Sequence, residues 1–238
     1  MWRTAYKKIL YSVHAVLLET PKSGTQPKYW RTIGTSFSIK GKPNPLLITN
    51  AHVVCNEKGI PYDEKHLALA AFMPEGKAGV AGVGIRFIEK SLDIAVFEVS
   101  KEAVDIVTAT FAKPAVLEIG AAVASVGFPI PHKPILRQGG GSLTIAKRLA
   151  TGFISANDMK PVFDRESAEL THYEINMLSY PGLSGAPVFD VNGFVIGMNH
   201  GSILTSGGNV AAYAYAIRGP EIIAYLERNN IKIEISTT

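Results

Sequence analysis

The sequence predicts an all-β protein: two similar groups of short strands, each a barrel or sandwich, closed by one C-terminal helix. Three observations carry this. About a dozen short runs are either alternating or continuously apolar, and turn residues such as Gly, Pro, Asn and Asp lie between many of them. The 22 glycines and 14 prolines are scattered through the chain, as many short turns require. Only one stretch, beginning at Gly219-Pro220-Glu221, carries strong helix-start signals, with proline near its first position and an acid in its first turn. A cleft between the two groups is the expected ligand site.

Along the chain, residues 4–10 suggest one or two helical turns and 12–19 a strand with a buried face. Residues 20–30 are a polar loop. Residues 33–39 alternate large apolar with small polar side chains, and 46–50 form a continuous apolar strand that delivers Ala51-His52-Val53-Val54. Residues 56–65 are turn-rich. Strands over 67–73, 80–88 and 92–99 follow, the last with the acid Asp93 near its start. In the second group, 123–127 is a strand, 128–138 a loop, and 137–145 and 147–155 are expected to pair. Residues 157–169 form a polar loop, and a strand over 172–176 leads to the turn around Ser184. Two strands join around Asn192-Gly193, a hairpin signal. A strand over 211–217 precedes the helix, which runs to about Arg228 with Ile222, Ile223 and Leu226 facing the body. Residues 231–235 alternate like an edge strand. The units are thus 1–112, with His52 and Asp93; 113–218, with Ser184; and 219–238, the helix and tail.

Bulk properties exclude several classes. At 47% hydrophobic and 18% charged residues, the 238-residue chain has ample core material and too little charge for a disordered protein. The net charge of +4 is spread out, with Lys7-Lys8 and Lys147-Arg148 the densest pairs, so no nucleic-acid partner is expected. Residues 191–217 contain no Asp, Glu, Lys or Arg, but Asn192, Asn199, His200 and Gly207-Gly208 interrupt them, which argues against a membrane span. The single cysteine, Cys55, rules out an internal disulfide. With no signal-peptide pattern at the N-terminus, it points to a cytoplasmic rather than a secreted location. His, Cys and carboxylates show no metal-ligand spacing, and Gly139-Gly140-Gly141 lacks the ending of a phosphate loop, so no metal or cofactor is expected.

The chemistry centres on Tyr180-Pro-Gly-Leu-Ser-Gly-Ala-Pro187. Gly182 and Gly185 permit a tight turn that lifts Ser184 out of the packing. The turn can aim the N–H groups of Gly182 and Ser184 into one small space, as an oxyanion hole requires.

Taken with Gly34-Thr35-Ser36-Phe37, Ile48-Thr49-Asn50-Ala51-His52-Val53-Val54 and Leu92-Asp93-Ile94-Ala95-Val96, this stretch resembles the trypsin-like serine peptidases. The likeness is nearest to their HtrA-like branch and spans roughly residues 12–228. The resemblance implies two six-stranded antiparallel β-barrels with the active site between them. It implies a His52, Asp93, Ser184 triad in His…Asp…Ser order, with His52 as base, Asp93 as its orienter and Ser184 as nucleophile of an acyl-enzyme. Polypeptide is then the substrate. Leu183 stands where the digestive enzymes carry an aspartate, so activation by a freed N-terminus is not expected. Leu178, six residues before the nucleophile, implies an uncharged, aliphatic side chain before the scissile bond. Asn199, His200 and Gly201 are expected to border that pocket. HtrA-like proteins usually carry a PDZ domain after the peptidase; with the sequence ending at Thr238, none is expected here. An activating partner or a homo-oligomer is a further expectation, as is the alternative of a catalytically weak or partner-activated peptide-binding module on the same fold.

Overall fold

A computed structural model describes residues 1–20, 29–41, 45–74, 78–99, 106–130, 146–160, 171–204 and 211–236. Two closed, six-stranded antiparallel barrels make up the body. The first contains β1 (Val13–Thr20), β2 (Tyr29–Ile39), β3 (Leu46–Thr49), β4 (Leu67–Phe72), β5 (Ala78–Glu89) and β6 (Ile94–Val99), in the order β1-β2-β3-β6-β5-β4. The second contains β7 (Ala122–Gly127), β8 (Arg148–Met159), β9 (His172–Asn176), β10 (Pro187–Phe189), β11 (Val195–Leu204) and β12 (Ala211–Arg218), in the order β10-β11-β12-β9-β8-β7. Closure removes the exposed edges that strands this apolar would otherwise present. Two helices, α1 (Trp2–Ile9) and α2 (Gly219–Arg228), lie outside the barrels.

The apolar runs fill three buried clusters. Val16, Leu47, Leu69 and Phe97 pack within the first barrel, and Val123, Ile154, Tyr173 and Val188 within the second. A third cluster joins the two: Phe37, Ile48, Phe111, Phe128 and Phe189 meet Ile9 of α1 and Ile222, Ile223 and Leu226 of α2. A fully buried side chain such as Phe97 contributes about 2–3 kcal/mol. Both chain ends brace this seam. Trp2 packs edge-on against Phe189, and Lys8 lies over the ring of Phe194. At the other end, Lys40 pairs with Glu234 at 3.1 Å.

Several boundaries differ from the sequence expectation, each for a local reason. The last strand of the first barrel begins at Ile94, not at 92, because Asp93 sits in a turn with φ +49°. The strand after the Asn192-Gly193 turn begins only at Val195, because the Asp190 carboxylate accepts the N–H groups of Asn192 and Phe194 and holds a turn there. The partners of β8 are β7 and β9; the expected strand over 137–145 lies outside the described residues, as do most of the loops at 128–138 and 157–169. The tail at 231–235 adds no full strand and bridges Phe111 only at Ile235. The uncharged stretch at 191–217 supplies strands of the second barrel, and among the described residues no helix is long and apolar enough to cross a membrane.

Candidate active site

The site is built on two strand ends of the first barrel and one turn of the second. The apolar β3 ends at Thr49, and a single helical turn, Ala51–Val53, follows. Ala51 and Val53 are buried and anchor that turn, which leaves His52 half-exposed between them. Asp93 is buried, and its left-handed backbone is one that Asp tolerates better than most residues. This conformation turns the carboxylate back onto the histidine. Oδ1 accepts the His52 backbone N–H at 2.8 Å, and Oδ2 accepts Nδ1–H at 2.7 Å. The Asn50 amide holds the Asp93 carbonyl at 3.1 Å. The histidine is therefore fixed in the tautomer that leaves Nε2 free to take a proton.

Ser184 lies on a turn that admits only glycine at positions 182 and 185. Gly182 has φ +95°, and a Cβ there would meet the Phe128 carbonyl at 2.5 Å. Gly185 has φ +81°, and a Cβ would meet the Thr35 carbonyl at 2.1 Å. The turn is pinned to the first barrel by Thr35. Its hydroxyl donates to the Gly182 carbonyl at 2.7 Å and accepts the Phe128 N–H at 2.9 Å. Its own N–H donates to the Ser184 carbonyl at 2.9 Å, and Thr49 donates to its carbonyl at 2.6 Å. Within the turn, Leu183 N–H donates to Tyr180 and Gly185 N–H to Asn199. The N–H groups of Gly182 and Ser184 have no partner among the described residues.

The Ser184 hydroxyl does not reach His52. It donates to the His200 carbonyl at a long 3.4 Å. The His200 side chain is buried and faces Asp93, its Nε2 lying 3.0 Å from Oδ2, the same oxygen that holds His52. Behind it, His172 Nε2 is 2.9 Å from His200 Nδ1. Burial opposes ionisation of Asp93, but the hydrogen bonds from His200 and then from His52 outweigh it and hold the carboxyl well below the usual carboxylate range. His52, Asp93 and His200 also bring three potential ligand atoms within 4.8 Å of one another, a juxtaposition that their sequence spacing does not show. Both nitrogen–oxygen contacts have direct hydrogen-bond length.

A model of the trypsin-like peptidase domain matches residues 34–198, which include His52, Asp93 and Ser184. The chain belongs to the trypsin-like peptidase family. This peptidase domain is similar to solved structures of the HtrA-type protease AlgW. Against AlgW with a decapeptide the TM-score is 0.67 at 15% identity, covering 95% of this chain and 66% of that one. Against AlgW with a tripeptide it is 0.66 at 16% identity, covering 97% and 64%. The chain therefore spans about two thirds of those chains, and at this identity the likeness is one of fold. No curated protein matches it in sequence.

The remaining residues named from the sequence fall in different places. Leu178 is half-exposed and lines a surface hollow of about 500 Å³ with Leu149, Thr151, Tyr180 and Leu183. Leu183 itself is buried. Asn199 is buried, and its amide donates to the Leu183 carbonyl at 3.1 Å, bracing the turn from behind. Gly201 lies against Tyr215, whose hydroxyl would be 2.5 Å from a Cβ there. Sequence reasoning gave no role to Thr35 or His172. Thr35 stood within a quoted motif, so a signal existed; His172 had none.

Proposed function

We propose that this peptidase domain is a serine endopeptidase, with Ser184 as nucleophile, His52 as general base and Asp93 as the orienting acid. The observation that carries the proposal is the pair of hydrogen bonds that Asp93 accepts from the backbone N–H and Nδ1–H of His52, facing the Ser184 turn across the seam between barrels. In the reaction, Ser184 Oγ attacks the scissile carbonyl while His52 Nε2 takes its proton, and Asp93 stabilises the imidazolium that forms. The free N–H groups of Gly182 and Ser184 favour a developing oxyanion, each donor being worth on the order of 10²–10³ in rate. His52 then returns the proton to the leaving amine, and water repeats the sequence on the acyl-enzyme. The apolar side chains around the turn, Leu178 and Leu183, favour an uncharged, aliphatic residue at P1.

An active-site-directed fluorophosphonate should label the wild type and not Ser184→Ala, and unfolded casein should be cleaved only by the former. Labelling that survives Ser184→Ala removes the proposal. A peptide library tests the P1 assignment, which a dominant preference for Lys or Arg would sink.

The hydroxyl's contact with the His200 carbonyl favours a second reading, a peptidase at rest until substrate, a protein partner or a second copy aligns Ser184. Labelling that rises severalfold on adding an uncleavable peptide would support it.

A further inference from the structure

Asp93 Oδ2 is shared by two imidazoles, yet the proposed chemistry uses only one of them. The carboxylate is ionised and can only accept, so both rings must present an N–H: Nδ1–H from His52 and Nε2–H from His200. A neutral His200 then has Nδ1 as an acceptor. The His172 nitrogen 2.9 Å away must donate to it, which selects that tautomer of His200. The result is a chain from β9 to the solvent: His172 to His200, His200 to Asp93, and Asp93 to His52. Three rings besides the carboxylate face His200 among the described residues. His172 lies 5.1 Å away and His52 5.9 Å away, both stacked, and Tyr215 lies 5.0 Å away, edge-on. The same residue's carbonyl accepts the Ser184 hydroxyl.

We infer that His200 is a positioning residue that sets the basicity of His52 through Asp93, with His172 holding it in the donating tautomer. This rests on the peptidase reading above for its catalytic meaning, but not for its electrostatics. A carboxylate charge divided between two donors stabilises the His52 imidazolium less than an undivided one. His200 therefore restrains His52 from becoming too readily protonated while fixing the carboxylate's orientation. A second proton on His200 would place Nδ1–H against the His172 donor.

The test uses histidine ¹⁵N–¹H spectra of the full chain together with peptide kinetics. In the wild type at neutral pH, His200 should carry its proton on Nε2 and His52 on Nδ1. A His200 ring protonated on Nδ1 alone overturns the inference. In His200→Leu, which removes the donor but keeps apolar volume, the midpoint of the His52 titration should rise by about 0.5–1 pH unit. The acid limb of kcat/KM should move with it, and kcat should fall about tenfold or more with KM little changed. His200→Gln, which can still donate to Asp93 but cannot titrate, should return the midpoint toward the wild-type value. A folded His200→Leu with an unmoved midpoint, or equal changes in both variants, overturns the inference. An absence of turnover in the wild type, with the expected spectra and midpoint shift intact, overturns the peptidase reading and leaves the electrostatic role of His200 standing.

Discussion

Thr35→Val isolates the bond between the two halves of the site. Valine keeps the volume and branching of threonine and removes only the hydroxyl. That hydroxyl bridges the Gly182 carbonyl at 2.7 Å and the Phe128 N–H at 2.9 Å, and Thr35 is fully buried. Its loss strands one buried acceptor and one buried donor, each costing about 1–3 kcal/mol. The sum, about 2–6 kcal/mol, is a large part of a domain's typical 5–15 kcal/mol. The Gly182 peptide is also one wall of the proposed oxyanion pocket, so labelling by a fluorophosphonate should slow at least tenfold under conditions where the variant is folded. Thr35→Ser is the control: it keeps both hydrogen bonds and loses one buried methyl, about 1 kcal/mol. Urea unfolding at constant slope reads the stability, and the rate of labelling reads the turn. A Thr35→Val protein within about 0.5 kcal/mol of wild type and labelled at the same rate would refute the view that Thr35 holds the nucleophile turn to the first barrel.

Three further outcomes are expected. His14 is buried beside Ser38, and burial first, then the nearby Lys147 charge, lowers its pKa from 6.5 to about 3. Between those values the unfolded chain binds a proton that the folded chain refuses. Stability is therefore intact above pH 6.5 and is lost as pH falls toward 3, by up to about 4–5 kcal/mol. Urea midpoints at pH 7 and pH 4 should differ less in His14→Gln than in wild type, and an equal slope would refute the assignment. Gly185→Ala combines φ +81° with a Cβ 2.1 Å from the Thr35 carbonyl, so soluble, cooperatively folding protein should be lost or its melting point lowered steeply; a wild-type melt counts against the turn geometry. Asp93→Asn places an amide where both imidazoles need an acceptor, and kcat should fall by about 10⁴ with fold retained. A loss below tenfold would argue against Asp93 as the orienter.

The strand order and the core were legible because the period-2 runs and their turn residues are local signals. Residues 46–48 and 94–97 are apolar and buried on both faces because each run lies in a barrel wall against a second packed layer, and the sequence shows that directly. His52, Asp93 and Ser184 could be named together from the sequence because their motifs stand in order beside recognisable strand ends; the structure joins the first two by direct hydrogen bonds. Boundaries set by side chains were not legible. The Asp190 turn and the Asp93 conformation depend on which backbone groups an acid reaches in the fold. The cluster of His172 and His200 behind Asp93 was not legible for a stronger reason. The two histidines are 28 residues apart and 79 or more from Asp93, and the register between β9, β12 and β11 brings their rings together. The sequence placed His200 beside the substrate pocket, and nothing in it marks the contact with Asp93. The context of His172 carries no more information than those of His14 or His66, one a buried core residue and the other an ion-pair partner of Glu19.

The resting position of Ser184 then acquires a definite energetic meaning. If Ser184 is the nucleophile, it must rotate from the His200 carbonyl toward His52 Nε2. The contact it gives up is 3.4 Å long, beyond the usual range of about 2.5–3.0 Å for O–H···O bonds, and even a typical neutral hydrogen bond contributes only about 0.5–1.5 kcal/mol net. The rest of the machinery needs no comparable change. Among the described residues the Gly182 and Ser184 N–H groups already have no partner, Thr35 already holds the turn, and Asp93 already fixes the His52 tautomer. A hydroxyl rotor held by one long bond is thus a small barrier, far below the cost of rebuilding a misfolded oxyanion turn. Because that bond ends on His200, the residue whose ring also braces Asp93, the resting serine and the orienting acid are tied to one point on β11. A shift of that strand moves both together.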